Sequence, residues 1–434
     1  MKIENKTIKF LCLGGAYSQI PFLKEIKERG YHLILCDYLP NNPGRQFADE
    51  YYNISSTDKE AVLKLAQDVK PNFVVAYATD PAAPVAAFVS EILDLPANTY
   101  ESVRILSEKD KFRNCQRENG FNTPEFVSFT EMNITNETFS LLKFPFIIKP
   151  TDSSGSKGIS KVTKKEDIDT AVKYAFHFSR NKRIIAEEFI DNNLADLHGD
   201  GFILDGKLVF SCLGDHIYNK LSNIYNPIGT IWPSNKPNEI IKKIEDDVEG
   251  IIKSSGFKNG PINIEARVNT KGKHYIMEIG PRSGGHFVPQ AIQYSTGFDI
   301  VKYSLDLMLG KKITISDQPR KCTAYYAIHS DFDGKLLHLT ISNKLKPFIK
   351  EFHQYVMKGE AVKSFRMANL AIGVIILTTS NRNEMEIILA KIQDYIKLTI
   401  EKAKIEKHFG NISKELASFT PDDVRDSLNT SNNC

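Results

Sequence analysis

FPFIIKP (residues 144–150) runs straight into TDSSGSKGISKV (151–162). The first segment has the apolar run of a buried strand, and Lys149 stands near its end. The second is a Gly/Ser-rich hairpin loop. Backbone amides in such a loop can turn inward and hold phosphate oxygens, with the Lys149 ammonium on the other side. It is not a P-loop, because G-x-x-x-x-G-K-[ST] is absent. By itself the segment also reads as an ordinary turn.

Three segments downstream extend the pattern. RIIAEEFI (183–190) is a strand whose end presents Glu187, Glu188, Phe189 and Ile190, a carboxylate and amides able to read an adenine edge. PINIEARV (261–268) and KHYIMEIGPR (273–282) are two strands about a Lys-Gly turn, with Glu265 and Glu278 facing each other. Two converging carboxylates repel unless a cation or a shared proton sits between them. Mg²⁺ held by few carboxylates plus phosphates is one solution; two solvated strand-end glutamates are the plainer one. Arg282 follows, before Ser283-Gly284-Gly285, where it could clamp an anion with two parallel hydrogen bonds.

Upstream, IKFLCL (8–13), a Gly14-Gly15 turn, a helix over 19–29 and HLILC (32–36) ending at Asp37 predict a βαβ unit. A dinucleotide site needs G-x-G-x-x-G, and only G-G-x-x-S is present, so this unit reads as a Rossmann-like structural domain. A helix over 60–69, a strand over 72–77 and a helix entered through TDPAAPVAAF (79–88) complete one parallel α/β domain. Helices are expected over 101–123, 166–179 (behind a Thr163/Glu166 capping box), 238–254 and 384–403. Further strands are expected at 201–210, 322–328 and 370–378. HIYNKLSNIYNPIGTIWP (216–233) reads as a long loop suited to a small organic ligand.

The ordered set resembles the ATP-grasp superfamily: a lysine-bearing helix, the IIKP strand, the Gly/Ser loop, EEFI and MEIGPRSGG (277–285). DYLPNNP (37–43) and ADEY (48–51) resemble its pre-grasp domain, and the run from Gly359 to Glu384 its C-terminal domain. The resemblance covers about residues 8–400. It implies an α/β and α+β multidomain chain: a Rossmann-like pre-grasp domain over 1–105, an ATP-grasp domain over 106–320 with a small lid over 125–190, a C-terminal α+β domain over 321–410 and a polar tail over 411–434. It also implies roles. Lys111 and Lys149 are the nucleotide lysines, and Lys149 and Arg282 the catalytic cations. Ser153, Ser154, Gly155, Ser156, Lys157 and Gly158 form the loop over the phosphates. Glu187, Glu188, Phe189 and Ile190 read adenine, with the Glu187 carboxylate accepting from its amino group; Asp196 holds ribose. Glu265 and Glu278 bind Mg²⁺ or Mn²⁺. The family commonly has E-[IMV]-N-x-R where Glu278-Ile279-Gly280-Pro281-Arg282 stands here, so Gly280 replaces an Asn that completes a second metal site.

The implied chemistry is an ATP-dependent carboxylate–amine ligase that makes an acyl phosphate, with ATP and Mg²⁺ as cofactors and a small-molecule carboxylate and amine as substrates. A bicarbonate-activating or purine-pathway carboxylase or ligase is the alternative within the fold. A non-catalytic nucleotide-binding regulatory protein is the alternative outside it, and only Gly280 supports that one. Composition sets further bounds. The chain has 434 residues, 41% hydrophobic and 25% charged, which is globular. Lys+Arg is 56 against Asp+Glu 53, a net +3, giving no reason to expect nucleic acid or an anionic membrane. Six cysteines with no metal-ligand spacing and no paired framework fit a reducing cytoplasm. No apolar run is long enough to span a bilayer. The resemblance leaves room for a homodimer.

Overall fold

The computed structural model describes residues 8–130, 136–153, 155, 157–191, 196–219, 226–315 and 320–402. A parallel sheet comes first, in the order β3–β2–β1–β4: β1 Lys9–Leu13, β2 His32–Cys36, β3 Glu50–Tyr52 and β4 Phe73–Val75. Helices α1 Ile20–Glu28, α2 Lys59–Val69 and α3 Ala83–Ile92 connect its strands or follow them. The strands are apolar on both faces because both are covered: Phe10, Cys12 and Leu35 pack with α1, while Leu11, Ile34 and Val74 pack with α2 and α3.

Two helices then meet at a corner, α4 Tyr100–Ser107 and α5 Lys109–Glu118. One continuous helix was the expectation. Glu108 takes an extended ψ of 115°, which breaks the helix there and lets α5 start in a new direction. A small antiparallel sheet follows, β5–β8–β6–β7, built from β5 Phe126–Phe129, β6 Phe146–Pro150, β7 Ser160–Val162 and β8 Ile184–Glu188. Helix α6, Ile168–Phe178, covers one face with Ala171, Val172 and Ala175. The expected capping box does not form; α6 starts after a single 3₁₀ turn over Lys165–Asp167.

The remaining strands are β9 Asp196–Leu204, β10 Lys207–Tyr218, β11 Pro227–Trp232, β12 Gly260–Val268, β13 His274–Gly280, β14 Cys322–Ile328, β15 Gly334–Ile341, β16 Ile349–Gln354, β17 Ala361–Val362, β18 Gly373–Thr379 and β19 Ile396–Lys402. Eight of them make one sheet, in the order β13–β12–β9–β10–β11–β14–β18–β16, and β17–β15–β19 make a second. Helix α7 (Asn238–Ser255) packs under the large sheet on Leu197, Ile203, Ile262 and Ile264. Helix α8 (Val288–Thr296) and helix α9 (Ile300–Met308) lie on its other side, and α10 (Arg382–Ala390) and α11 (Ile392–Tyr395) close the C-terminal part.

Three expectations change here. A boundary at 320/321 cuts through a continuous sheet, because β11 pairs with β14 from Gly229↔Tyr326 to Trp232↔Thr323. The expected loop over 216–233 is instead the end of β10 and all of β11, with 220–225 outside the described residues. The expected helix over 384–403 ends by Tyr395. Ile396, Leu398 and Ile400 alternate toward the core, and that two-residue period makes a strand. The polar tail, 411–434, lies outside the described residues. Among them no helix is long and apolar enough to cross a membrane.

Candidate functional site

Strand alternation builds the site. On β12, Ile262, Ile264 and Ala266 enter the core over α7, so Asn263, Glu265 and Arg267 point to the opposite face. Glu265 lies directly across from Glu278 on β13, and a bulge follows immediately after Glu265. Glu265 is exposed at the cleft, but the protein around it partly strips its water, and with the Glu278 charge this pushes its carboxyl up to about 7. Burial also pushes Glu278 up, but Lys109, Arg282 and Lys149 outweigh it and hold that carboxyl below its ordinary value. The pair therefore behaves as one proton-sharing or cation-binding unit. Among the described residues no group of three or more His, Cys, Asp and Glu side chains could hold a metal. Two carboxylates suit an ion that keeps several waters and shares phosphate oxygens.

Cations surround the pair. The Lys109 ammonium is 3.5 Å from Glu278 Oε2 and donates to the Ser153 carbonyl at 2.9 Å. Arg282 Nε donates to Asp80 Oδ1 at 2.6 Å and Nη1 to the Ser283 carbonyl at 2.8 Å. Asp80 comes from the segment between β4 and α3, 202 residues away. A Cβ built on Gly280 would stand 3.2 Å from both Arg282 Cζ and Asp80 Oδ1. Gly280 thus leaves room for this ion pair, and any side chain there would press on it. A cavity of about 160 Å³ joins Asp80, Lys109, Ser153, Arg180, Glu278 and Gly280. A larger one, about 460 Å³, lies away from these groups, beside α7 at Lys242, Glu245 and Arg320.

Behind the cleft sits a buried ion cluster. Glu187 accepts from Lys149 Nζ at 2.6 Å and from Arg113 Nε at 2.9 Å, and Arg113 is fully buried. Arg113 Nη2 also donates to the Met277 carbonyl at 2.9 Å, which ties α5 to β13 beside Glu278. On β9, buried Asp200 accepts from the Gly284 amide through both oxygens at 3.0 Å and from Asn263 Nδ2 at 2.8 Å. Burial raises its carboxyl to about 6. These bonds pin the turn after Arg282. His286 and Phe287 then both take left-handed backbone, φ +50° and +59°, a strain of about 1–3 kcal/mol each that concentrates at functional sites.

Residues 142–290 match the family model of the ATP-grasp domain. The chain carries an ATP-grasp domain. The carbamoyl phosphate synthase large chain of Pseudothermotoga lettingae is 24% identical over 335 residues, covering 72% of this chain. The chain spans only 30% of that protein's length. Two solved structures share the fold. The L-amino acid ligase of Bacillus licheniformis aligns with TM-score 0.75 at 20% identity, over 92% of this chain and 100% of that one. The biotin carboxylase domain of the Hydrogenobacter thermophilus 2-oxoglutarate carboxylase, solved with MgADP, ADP and bicarbonate, aligns with TM-score 0.70 at 15% identity, over 91% of each chain.

Within the ATP-grasp fold several expected residues converge and others do not. Lys149, Glu265, Glu278 and Arg282 surround one cleft, with Ser153 at its rim. Gly155 and Gly158 take φ of +68° and +74°, conformations glycine adopts freely. Ser154 and Ser156 lie outside the described residues, and Lys157 is exposed. Glu188 is exposed, the Phe189 ring sits 3.7 Å below Lys161 Nζ, and Ile190 is buried. The Glu187 carboxylate is not a free acceptor for an adenine amino group, because the cluster engages both oxygens. Asp196 is held by Arg267, with Nε at 2.6 Å, and by the Tyr218 hydroxyl.

Lys111 is the clearest correction. It pairs with Glu101 on α4 at 2.9 Å, while Lys109 reaches the cleft. The two differ by about 200° around α5, since each residue advances about 100°. Phe112, Arg113 and Gln116 are buried, so the inward face follows the spacing 109, 112, 113, 116. That periodicity is readable from sequence. Arg113, Asp80, Asn263 and Asp200 carried no local signal. Lys109→Ala is expected to weaken ATP binding by roughly 10- to 100-fold, the loss of one hydrogen bond to a charged group. Lys111→Ala should change it little, and calorimetric titration of ATP into both variants checks the pair.

Proposed function

We propose that the chain is an ATP-dependent carboxylate–amine ligase. Substrate carboxylate oxygen attacks the γ-phosphorus of ATP, the bond to the β,γ-bridging oxygen breaks, and ADP leaves with an acyl phosphate formed. The amine nitrogen then attacks the acyl carbon, the C–O bond to phosphate breaks, and the nitrogen gives up a proton. The convergence of Glu265, Glu278, Arg282, Lys109 and Lys149 on one cleft carries this reading. Glu265 and Glu278 would hold Mg²⁺, or Mn²⁺ in its place, which supplies Lewis-acid neutralisation of phosphate charge. Lys109 and Lys149 neutralise and orient the phosphates, and Arg282, kept in place by Asp80, faces the phosphoryl group that moves.

Two observations weigh on the alternatives. The Gly15 amide in the β1–α1 turn donates to Asp37 Oδ2, and the Leu39 amide to Asp37 Oδ1, each at 2.8 Å. A sugar phosphate at that turn would meet a carboxylate, which favours amino-acid-sized substrates over purine-pathway ribonucleotides. Gly280, the sole support for a non-catalytic protein, has a steric reason beside Arg282 and Asp80. The test is ADP release by the full chain with ATP, Mg²⁺ and L-amino acids in pairs, with bicarbonate as a separate arm. ADP release that needs an amino-acid pair is the expected result. Release with bicarbonate alone would move the reading to the carboxylase alternative, and none under any condition would overturn the ligase.

A further inference from the structure

The cavity of about 160 Å³ beside Glu278 is apolar on one wall. Pro81 in the turn before α3, Pro84 in its first turn and Leu106 near the end of α4 form that wall. Ser107 Oγ also lines the cavity, buried and without a hydrogen-bond partner. Native interiors rarely leave such an atom unpaired, and one that borders an open cavity points to a guest. Four carboxylates and two cations line the same space: Asp80, Glu108, Asp152 and Glu278 against Lys109 and Arg180. Three of the carboxylates are engaged. Arg104 Nε donates to Glu108 at 2.6 Å, the Asn181 amide donates to Asp152 Oδ2 at 2.8 Å, and Lys109 faces Glu278. Asp80 differs. Arg282 Nε and Nη2 both approach its Oδ1, and among the described residues no hydrogen bond reaches Oδ2. Asp80 Oδ2 and Ser107 Oγ are thus two acceptors left for a guest.

The chemistry selects the guest. Glu278 and Gly280 lie on the same cavity, so a carboxylate awaiting phosphorylation belongs at that end. Asp80 calls for a cation. An ammonium carries three N–H donors and no acceptor, and a carboxylate beside it keeps it charged. A charged nitrogen has no lone pair with which to attack. The nitrogen held at Asp80 therefore belongs to the molecule that gives the acyl group and keeps its protons through both steps. Two prolines and a leucine leave an apolar corner for a small aliphatic side chain. We propose that this cavity is the acyl-donor subsite and that the donor is an α-amino acid with a free ammonium. Asp80 Oδ2 and Ser107 Oγ hold the ammonium, and Pro81, Pro84 and Leu106 take the side chain. This rests on the ligase reading above.

The first test does not depend on turnover. L-Alanine, propionate and N-acetyl-L-alanine are titrated by calorimetry into the full chain saturated with β,γ-methylene-ATP and Mg²⁺. L-Alanine should bind roughly tenfold or more tightly than the two probes that lack an ammonium, the size of one hydrogen bond to a charged group. Asp80→Asn should erase that difference. Ser107→Ala should weaken L-alanine roughly threefold or more and leave propionate unchanged. This variant should melt as wild type does, because it removes an unpaired buried hydroxyl. Propionate binding as tightly as L-alanine, a preference that survives Asp80→Asn, or no heat from any of the three would overturn the proposal. The second test separates donor from nucleophile. L-Alaninamide has an amine and no carboxylate, so it can only accept the acyl group. With L-alanine as donor and L-alaninamide as nucleophile, Ser107→Ala should raise the donor KM and leave the nucleophile KM unchanged. A rise in the nucleophile KM alone would overturn the donor assignment and leave the ligase intact. No ADP release by wild type with any amino-acid pair would instead count against the ligase.

Discussion

Glu187→Gln is expected to destabilise the chain by about 3–5 kcal/mol, the size seen when one member of a buried ion cluster is removed. The melting temperature should fall by roughly 3–6 °C, since the unfolding entropy of a chain this long is large. Glu187 is the one anion between two buried cations, Arg113 and Lys149. Burial, with the Arg113 and Lys109 charges, lowers the Lys149 pKa despite Glu187, whereas Glu187, with two partners, is held down to about 2 despite its own burial. The cluster is therefore built round Glu187. Lys149→Met should be milder, since Glu187 keeps Arg113. The pH dependence follows in sign. The folded value of about 2 lies below the ordinary 4.5, so this contribution is complete above pH 4.5 and fades as pH falls toward 2. The stability gap between wild type and Glu187→Gln should shrink across that window, measured by thermal melts. A gap that stays constant down to pH 2 would contradict the assignment.

Glu278→Gln is expected to slow ligation by roughly 10²- to 10³-fold at saturating ATP and Mg²⁺, the effect of removing one preorganised electrostatic contact. ATP affinity should change far less, because Lys109 and Lys149 remain. Glu278 carries the negative charge that Lys109, Arg282 and Lys149 hold in place, and it is the charge that helps push Glu265 up to about 7. Losing it leaves one carboxylate for the ion and frees Lys109 from its partner. Steady-state rates and nucleotide affinity measured on the same preparation separate the two effects. Near-normal turnover in this variant would remove the metal assignment for the pair.

Much of this was legible in sequence because it is local. A strand shows its face by a two-residue period, so Glu265 and Glu278 on paired strands could be set opposite each other from spacing alone. The Gly/Ser loop and the βαβ start are likewise written in neighbouring residues. Several of the charged groups that sequence misjudged share one physical cause: their partners lie far along the chain. Glu187 looked like an adenine acceptor until Arg113, 74 residues away, closed on its carboxylate. Arg282 looked free until Asp80 was brought against it, and Gly280 looked like a lost ligand until the space it leaves for that pair became visible. Sequence by itself determined the strands that carry the site, the Gly/Ser loop and the carboxylate pair, because backbone periodicity and turn chemistry act over a few residues. Only the tertiary structure decided which charges neutralise one another. Coulomb and hydrogen-bond energies depend on separation in space, and chain packing alone sets that separation.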